Sequence, residues 1–341
     1  MTAVTPLRIG IVGAGGIARA EHLPRFRRIE GVELVAVANR TMASTERVAA
    51  EEGIPRTFGR WEELVADEDI DAVLVATWPD QHAPVTIGSL QAGKHVLTEA
   101  RMAATLADAE AMLGAAADHP DLVAMVVPSS FSLWADRTIR RLVDDRAVGR
   151  VRHVRVLWDA SGSVAPSEDW RWQRRSSGVN VMALGILYEA MARWLGPATA
   201  VQAVGSIVQP DKPGRDGSVR TDVFDHLLVQ AVFPHEVTAS IEMSIVSVHG
   251  PTRITIVGDV ASIDIDLGSE TLTRVTRAGE RTPIDIRPKD RLDWSAEVDF
   301  VRSIRTGAPV VLTDFEVGVG YMAFVDAVDR SASGGGRVLL P

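Results

Sequence analysis

The chain of 341 residues has no cysteine, which excludes disulfides, thiolate zinc sites and a cysteine nucleophile together. Lysine is nearly absent as well. Of 36 cationic residues only Lys94, Lys212 and Lys289 are lysines, so a lysine-dependent step has three carriers to choose from. The 8 histidines show no helical metal-ligand spacing, and no metal is expected. No apolar run approaches the roughly 20 residues of a membrane span. The first residues, MTAVTPLRIG, lack the basic start and long apolar core of a signal peptide, so a cytoplasmic location is expected. A net charge of -9 argues against nucleic acid or an anionic membrane as partner. What is present, 46% hydrophobic and 24% charged residues, is the composition of a soluble globular protein long enough for about two domains.

The most informative stretch is Leu7 to Ala18, LRIGIVGAGGIA. Its apolar run is that of a strand buried on both faces of a parallel sheet. Gly13, Gly15 and Ala18 then occupy the three positions of a GxGxxG/A turn, with Gly16 and Ile17 between them. The first glycine permits the turn, the second lets backbone approach a pyrophosphate, and Ala18 lets the next helix pack closely. A second strand, Glu33 to Asn39, ends where a dinucleotide fold reads the ribose. That place holds Asn39 and then Arg40 instead of a carboxylate. Nothing there repels a 2′-phosphate, and Arg40 can pair with it while stacking on adenine, so NADP is favoured over NAD. The alternative is an exposed arginine, with NAD held by Asn39.

Residues 1–128 alternate strand and helix signals as a doubly wound sheet requires. Strands are read at Ala72–Ala76, His95–Thr98 and Asp121–Val127, and helices from Gly16, Ser44 and Trp61, over Ala83–Gln91 and over Thr105–Ala117. PSSFS, Pro128 to Ser132, is the linker into a second domain, 129–341. There a helix at Trp134–Asp145, a strand at Val151–Asp159 and a helix at Val179–Leu195 precede strand after strand, from Ala200 to Val275. This reads as a large, mostly antiparallel open sheet. Asp211–Val219 reads as a mobile loop. Helices at Trp294–Arg305 and Phe315–Ser331 close the chain and are candidates to pack back on the first domain. The fold class is α/β: a Rossmann domain followed by an α+β domain. The apolar alternation along Phe224–Phe233 and Val237–Val246 predicts a homodimer or homotetramer through this sheet.

Several motifs resemble those of the Gfo/Idh/MocA oxidoreductase family along nearly the whole chain. TWPDQHAPVTIGSLQAGKHVLTEA (Thr77 to Ala100) is similar to its TPNxxH segment and the strand leading to EKP. AVGRVRHVRV (Ala147 to Val156) is similar to its GxIGxI passage, and WRWQRRSSGVNVMALGILYEAMARWLGP (Trp170 to Pro197) to its DxGxH helix. The resemblance implies hydride transfer between a nicotinamide and a sugar, cyclitol or related polyol. It puts Thr77, Trp78, His82 and Glu99 against the cofactor, Glu99 on its nicotinamide side, with His82 and Lys94 in structural roles and His22 near the cofactor's edge.

The family's proton relay is missing. EKP reads Glu99, Ala100, Arg101, and the DxGxHxxD positions hold Ala183, Leu187 and Ala190 around a retained Gly185. An acid or base must come from elsewhere. Arg101 can orient an oxygen but stays protonated. Tyr188 borders the emptied helix face, Asn180 lies on it, and His226 is a candidate on the sheet. Glu189 points further round the helix, toward a surface or interdomain ion pair. Three readings stand: an oxidoreductase with a substituted relay, a cofactor-dependent glycoside elimination through a transient keto-sugar, and a silent binding protein that kept the fold.

Overall fold

The computed structural model describes residues 6–159, 166–178, 183–247 and 250–340. They form two compact units, one of residues up to Pro128 with Ser295–Val319, the other of Ser129–Trp294 with residues from Gly320.

The first unit is built on six parallel strands, β1 (Leu7–Val12), β2 (Val32–Ala38), β3 (Arg56–Phe58), β4 (Ala72–Val75), β5 (His95–Thr98) and β6 (Ala124–Val126), in the order β3-β2-β1-β4-β5-β6. Order reverses between β1 and β4, the switch point at which such sheets bind ligands. Ile9, Ile11, Val73 and Leu74 are fully buried, as their unbroken apolar runs require. The first helix starts as a wide turn over Ala18–His22, in which the Leu23 amide donates to Ala18 O, and continues as α1 (Leu23–Phe26). Pro24 explains the wide turn, since it has no amide to close an ordinary α turn. The other helices are α2 (Met42–Glu52), capped by the Thr41 side chain, α3 (Trp61–Val65), α4 (His82–Gln91) and α5 (Leu106–Ala117).

In the second unit α6 (Asp136–Asp144) leads to β7 (Val151–Asp159), and then come the short α7 (Arg174–Ser177), α8 (Leu184–Leu195) and β8 (Ala200–Ser206). Asp211–Val219, read from sequence as a mobile loop, is instead a hairpin of β9 (Asp211–Gly214) and β10 (Gly217–Arg220). The buried Lys212 Nζ holds it by donating to the fully buried Asp225 at 2.8 Å and lying over the Trp172 ring. β11 (His226–Phe233), β12 (Val237–Ser244), β13 (Arg253–Gly258), β14 (Ala261–Asp266), β15 (Thr271–Thr276) and β16 (Arg281–Pro283) complete the chain's run of strands. Helix α9 (Ala296–Thr306) belongs to the first unit, and α10 (Phe315–Gly334) is followed by β17 (Val338–Leu339). The large sheet runs β16-β15-β14-β13-β7-β12-β11-β8-β17, antiparallel except where β7 meets β12.

One face of this sheet is packed and the other open. Leu227, Val229, Ala231 and Phe233 point inward, and Phe233 meets Tyr188 of α8, whereas Leu228 alternates outward with 46% exposure. Among the described residues no helix is long and apolar enough to cross a membrane.

Candidate functional site

The end of β1 makes a turn that tolerates no side chain. Gly13 has φ +87°, its amide donates to Ala38 O at 2.9 Å, and a Cβ there would sit 2.7 Å from Thr77 N. Gly15, Gly16 and Ile17 are exposed, and a Cβ on Gly16 would meet nothing within 4 Å. This leaves backbone bare beside the start of a helix, the setting that suits a phosphate. Asn39 braces the turn from the end of β2. Its side-chain oxygen accepts from Ala14 N at 2.7 Å, and its amide group donates to Ser44 O and Oγ at 3.3 Å. The next residue, Arg40, lays its guanidinium over the Trp78 ring, 4.8 Å from the centroid. Two loops, one after β2 and one after β4, are thereby joined beside the turn.

His82, buried at the start of α4, places Nδ1 2.8 Å from Arg101 O and Nε2 3.1 Å from Thr77 O. Burial pushes its pKa below the ordinary value, so the neutral ring donates to one carbonyl at a time and ties the loop after β4 to the segment after β5. The Arg101 side chain is itself buried. Lys94 donates to Asp67 O and Ile70 O, so its ammonium is spent on backbone as expected.

The densest ionisable cluster joins Glu99, His22 and Glu297. His22 Nε2 lies 2.5 Å from Glu99 Oε1 and Nδ1 lies 2.5 Å from Glu297 Oε1, while Glu99 Oε2 accepts from Ala100 N. The His22 and Glu297 side chains are fully buried, and that of Glu99 keeps 12% exposure. Burial alone lowers the His22 pKa, but its hydrogen bonds to Glu297 and Glu99 outweigh burial and lift it to about 9. The sequence reading missed Glu297. Its signal was helical spacing: it shares the buried stripe of Ala296, Phe300 and Val301 in α9, a carboxylate on an apolar face.

Thus Gly13, Gly15, Gly16, Ile17, Ala18, Asn39, Arg40, Thr77, Trp78, His82, Glu99 and Arg101 all lie in the first unit, at the carboxyl ends of its strands. The candidates in the second unit fare differently. Tyr188 is corrected to a packing residue: it is 4% exposed, stacks on Phe324 at 3.9 Å, and its hydroxyl accepts from Ala198 N. His226 shares the outward parity of Leu228, so it belongs to the open face of the sheet and not to the packed one. Glu189 is buried within the unit, paired with Arg193 at 2.7 Å and accepting from Ser129 N, rather than at a surface. Leu187 and Ala190 of α8 are fully buried. Asn180 lies outside the described residues.

A family described as oxidoreductases with an NAD-binding Rossmann fold, Gfo/Idh/MocA, matches residues 7–126, and that family's C-terminal domain matches residues 137–264. A 1,5-anhydro-D-fructose reductase from Ensifer adhaerens is 30% identical over 82% of this chain and 83% of its own. A levoglucosan dehydrogenase from Pseudarthrobacter phenanthrenivorans is 28% identical over 69% of this chain and 67% of its own. Among solved structures, levoglucosan dehydrogenase in complex with NADH and L-sorbose superposes with a TM-score of 0.85 at 22% identity, over 99% of this chain and 100% of that one. This last likeness carries the fold.

Proposed function

Since the chain belongs to the Gfo/Idh/MocA family of NAD(P)-dependent oxidoreductases, we propose that it moves hydride between NADP(H) and a carbohydrate, cyclitol or related polyol. The observation that carries the cofactor half is the braced, side-chain-free turn with Arg40 held on Trp78 beside it. Gly13, Gly15, Gly16, Ile17 and Ala18 would hold the pyrophosphate, and Arg40 the 2′-phosphate. Asn39 stands where a ribose-reading carboxylate would, but its side chain is committed to Ala14 and Ser44, which favours NADP over NAD. Thr77, Trp78, His82 and Glu99 would line the path toward the nicotinamide, with Arg101 beside them. The bound cofactor supplies hydride chemistry, and the chain's own residues position it and handle the proton.

The substrate class rests on relatives named for sugar chemistry. Purified protein is mixed with NADPH and 1,5-anhydro-D-fructose, or with NADP+ and levoglucosan or inositols, and the nicotinamide absorbance is followed. A sustained change with at least one of them is expected. A flat trace across the panel, under conditions where the related reductase turns over, contradicts the substrate class. The open sheet face, with Leu157, Val204 and Leu228 exposed, is the surface through which we propose the chain self-associates.

A further inference from the structure

We propose that Glu99, His22 and Glu297 form a proton store that replaces the missing motif lysine, with Glu99 handing the proton to the substrate oxygen when a carbonyl is reduced. The proposal rests on the oxidoreductase reading above and goes beyond it by assigning the acid.

The geometry fixes the proton count. Each ring nitrogen of His22 lies 2.5 Å from a carboxylate oxygen, and a contact that short needs a hydrogen between the two atoms. One imidazole facing two carboxylates therefore holds two hydrogens, and the cluster carries one net negative charge. The same two hydrogens can sit as imidazolium between two carboxylates, or as neutral His22 beside a protonated Glu99. Only Glu99 has an outlet, since the other two side chains are fully buried. Glu99 directly follows β5, at the carboxyl ends of the parallel strands, where such sheets bind ligands. Glu99 and Glu297 both face His22 and raise its pKa, and the buried His82 of α4 also feels the charge of Glu99. With its pKa lifted to about 9, His22 keeps the store filled at neutral pH.

The step balances. As hydride reaches the carbonyl carbon, the C=O π pair moves to oxygen and forms an O–H bond with the proton from Glu99. The cluster passes from one net negative charge to two, and that buried charge is costly enough to draw a replacement proton from water through Glu99. Oxidation of an alcohol runs the same path backward.

The test counts protons without turnover. NADP+ and NADPH are titrated calorimetrically at about pH 8.5 in two buffers of different ionisation heat. The positive ring of NADP+ repels the stored proton, so its binding should release a sizeable fraction of a proton more than NADPH binding does. In Glu297→Gln that difference should shrink at least threefold. Equal counts for both nucleotides in the unaltered protein overturn the store, whether or not the variant folds, because a merely structural brace gives equal counts. Failure to bind either nucleotide overturns the cofactor reading of the preceding subsection and the store with it. Nitrogen NMR gives a second check: each His22 nitrogen should show a bound or shared hydrogen at neutral pH, and a neutral ring with one bare nitrogen between two ionised carboxylates overturns the proposal. Glu99→Gln should slow sugar reduction at least a hundredfold with KM little changed, and unchanged turnover overturns the role of Glu99.

Discussion

At Asn39 one side chain accepts from Ala14 N and donates to Ser44, so truncation removes a partner both from the turn after β1 and from the first turn of α2. Asn39→Ala is expected to lower stability by about 1–3 kcal/mol, read as a denaturant midpoint, and to weaken nucleotide binding together with it. Arg40 is exposed and its visible contact is the Trp78 ring, so its loss acts on the ligand more than on the fold. Arg40→Ala should weaken NADPH by about tenfold or more and leave NADH within about twofold, as loss of a charge-assisted phosphate contact requires. Equal losses for both nucleotides would show that Arg40 does not read the 2′-phosphate. His22 sets a stability change with pH. Its folded pKa, about 9, lies above the ordinary 6.5, so its contribution is complete below 6.5 and disappears as pH rises through 9. That contribution is about 3 kcal/mol at most. Unfolding midpoints should fall between about pH 6.5 and 9.5 in the unaltered protein and stay flatter in His22→Gln.

Elements that present a complete apolar pattern are readable directly, and those that depend on distant partners are not. The run of Leu7 to Val12 and the blocks at Ala72–Val75 and His95–Thr98 are long enough to declare buried strands, and each forms where its pattern points. β3, β16 and β17 have three, three and two residues, too few for any periodicity to register. The hairpin of β9 and β10 looks like a loop because its glycines and charges dominate locally. What orders it is Lys212 meeting Asp225 and Trp172, contacts that no local pattern carries. The same division runs through the site. The glycine turn is a local motif and legible, whereas the proton-holding cluster needs His22 to meet Glu297 across 275 residues of sequence. At the turn itself, Gly13→Ala should cost about 1–3 kcal/mol from its positive φ alone. It should abolish tight nucleotide binding besides, because its Cβ would push Thr77 away. Retained affinity would mean that the turn is not the pyrophosphate cradle.

The whole molecule divides its labour between a unit whose strand ends gather every cofactor candidate and a unit whose large sheet leaves one face open. That open face exposes Leu228 at 46% and Val204 at 62%, side chains costly to leave against water over several strands. Light scattering should report a dimer or tetramer, and Leu228→Arg combined with Val204→Arg should shift it toward monomer. A monodisperse monomer of the unaltered chain would contradict the association. The turn after β1 is braced by Asn39 and flanked by Arg40 on Trp78, and the central claim is that it is a live nucleotide cradle that reads NADP. Calorimetric titration of nucleotide-free protein with NADPH and NADH side by side tests it most directly. Tight binding of NADPH with much weaker binding of NADH is the predicted result. Binding of neither, or a clear preference for NADH, would contradict it.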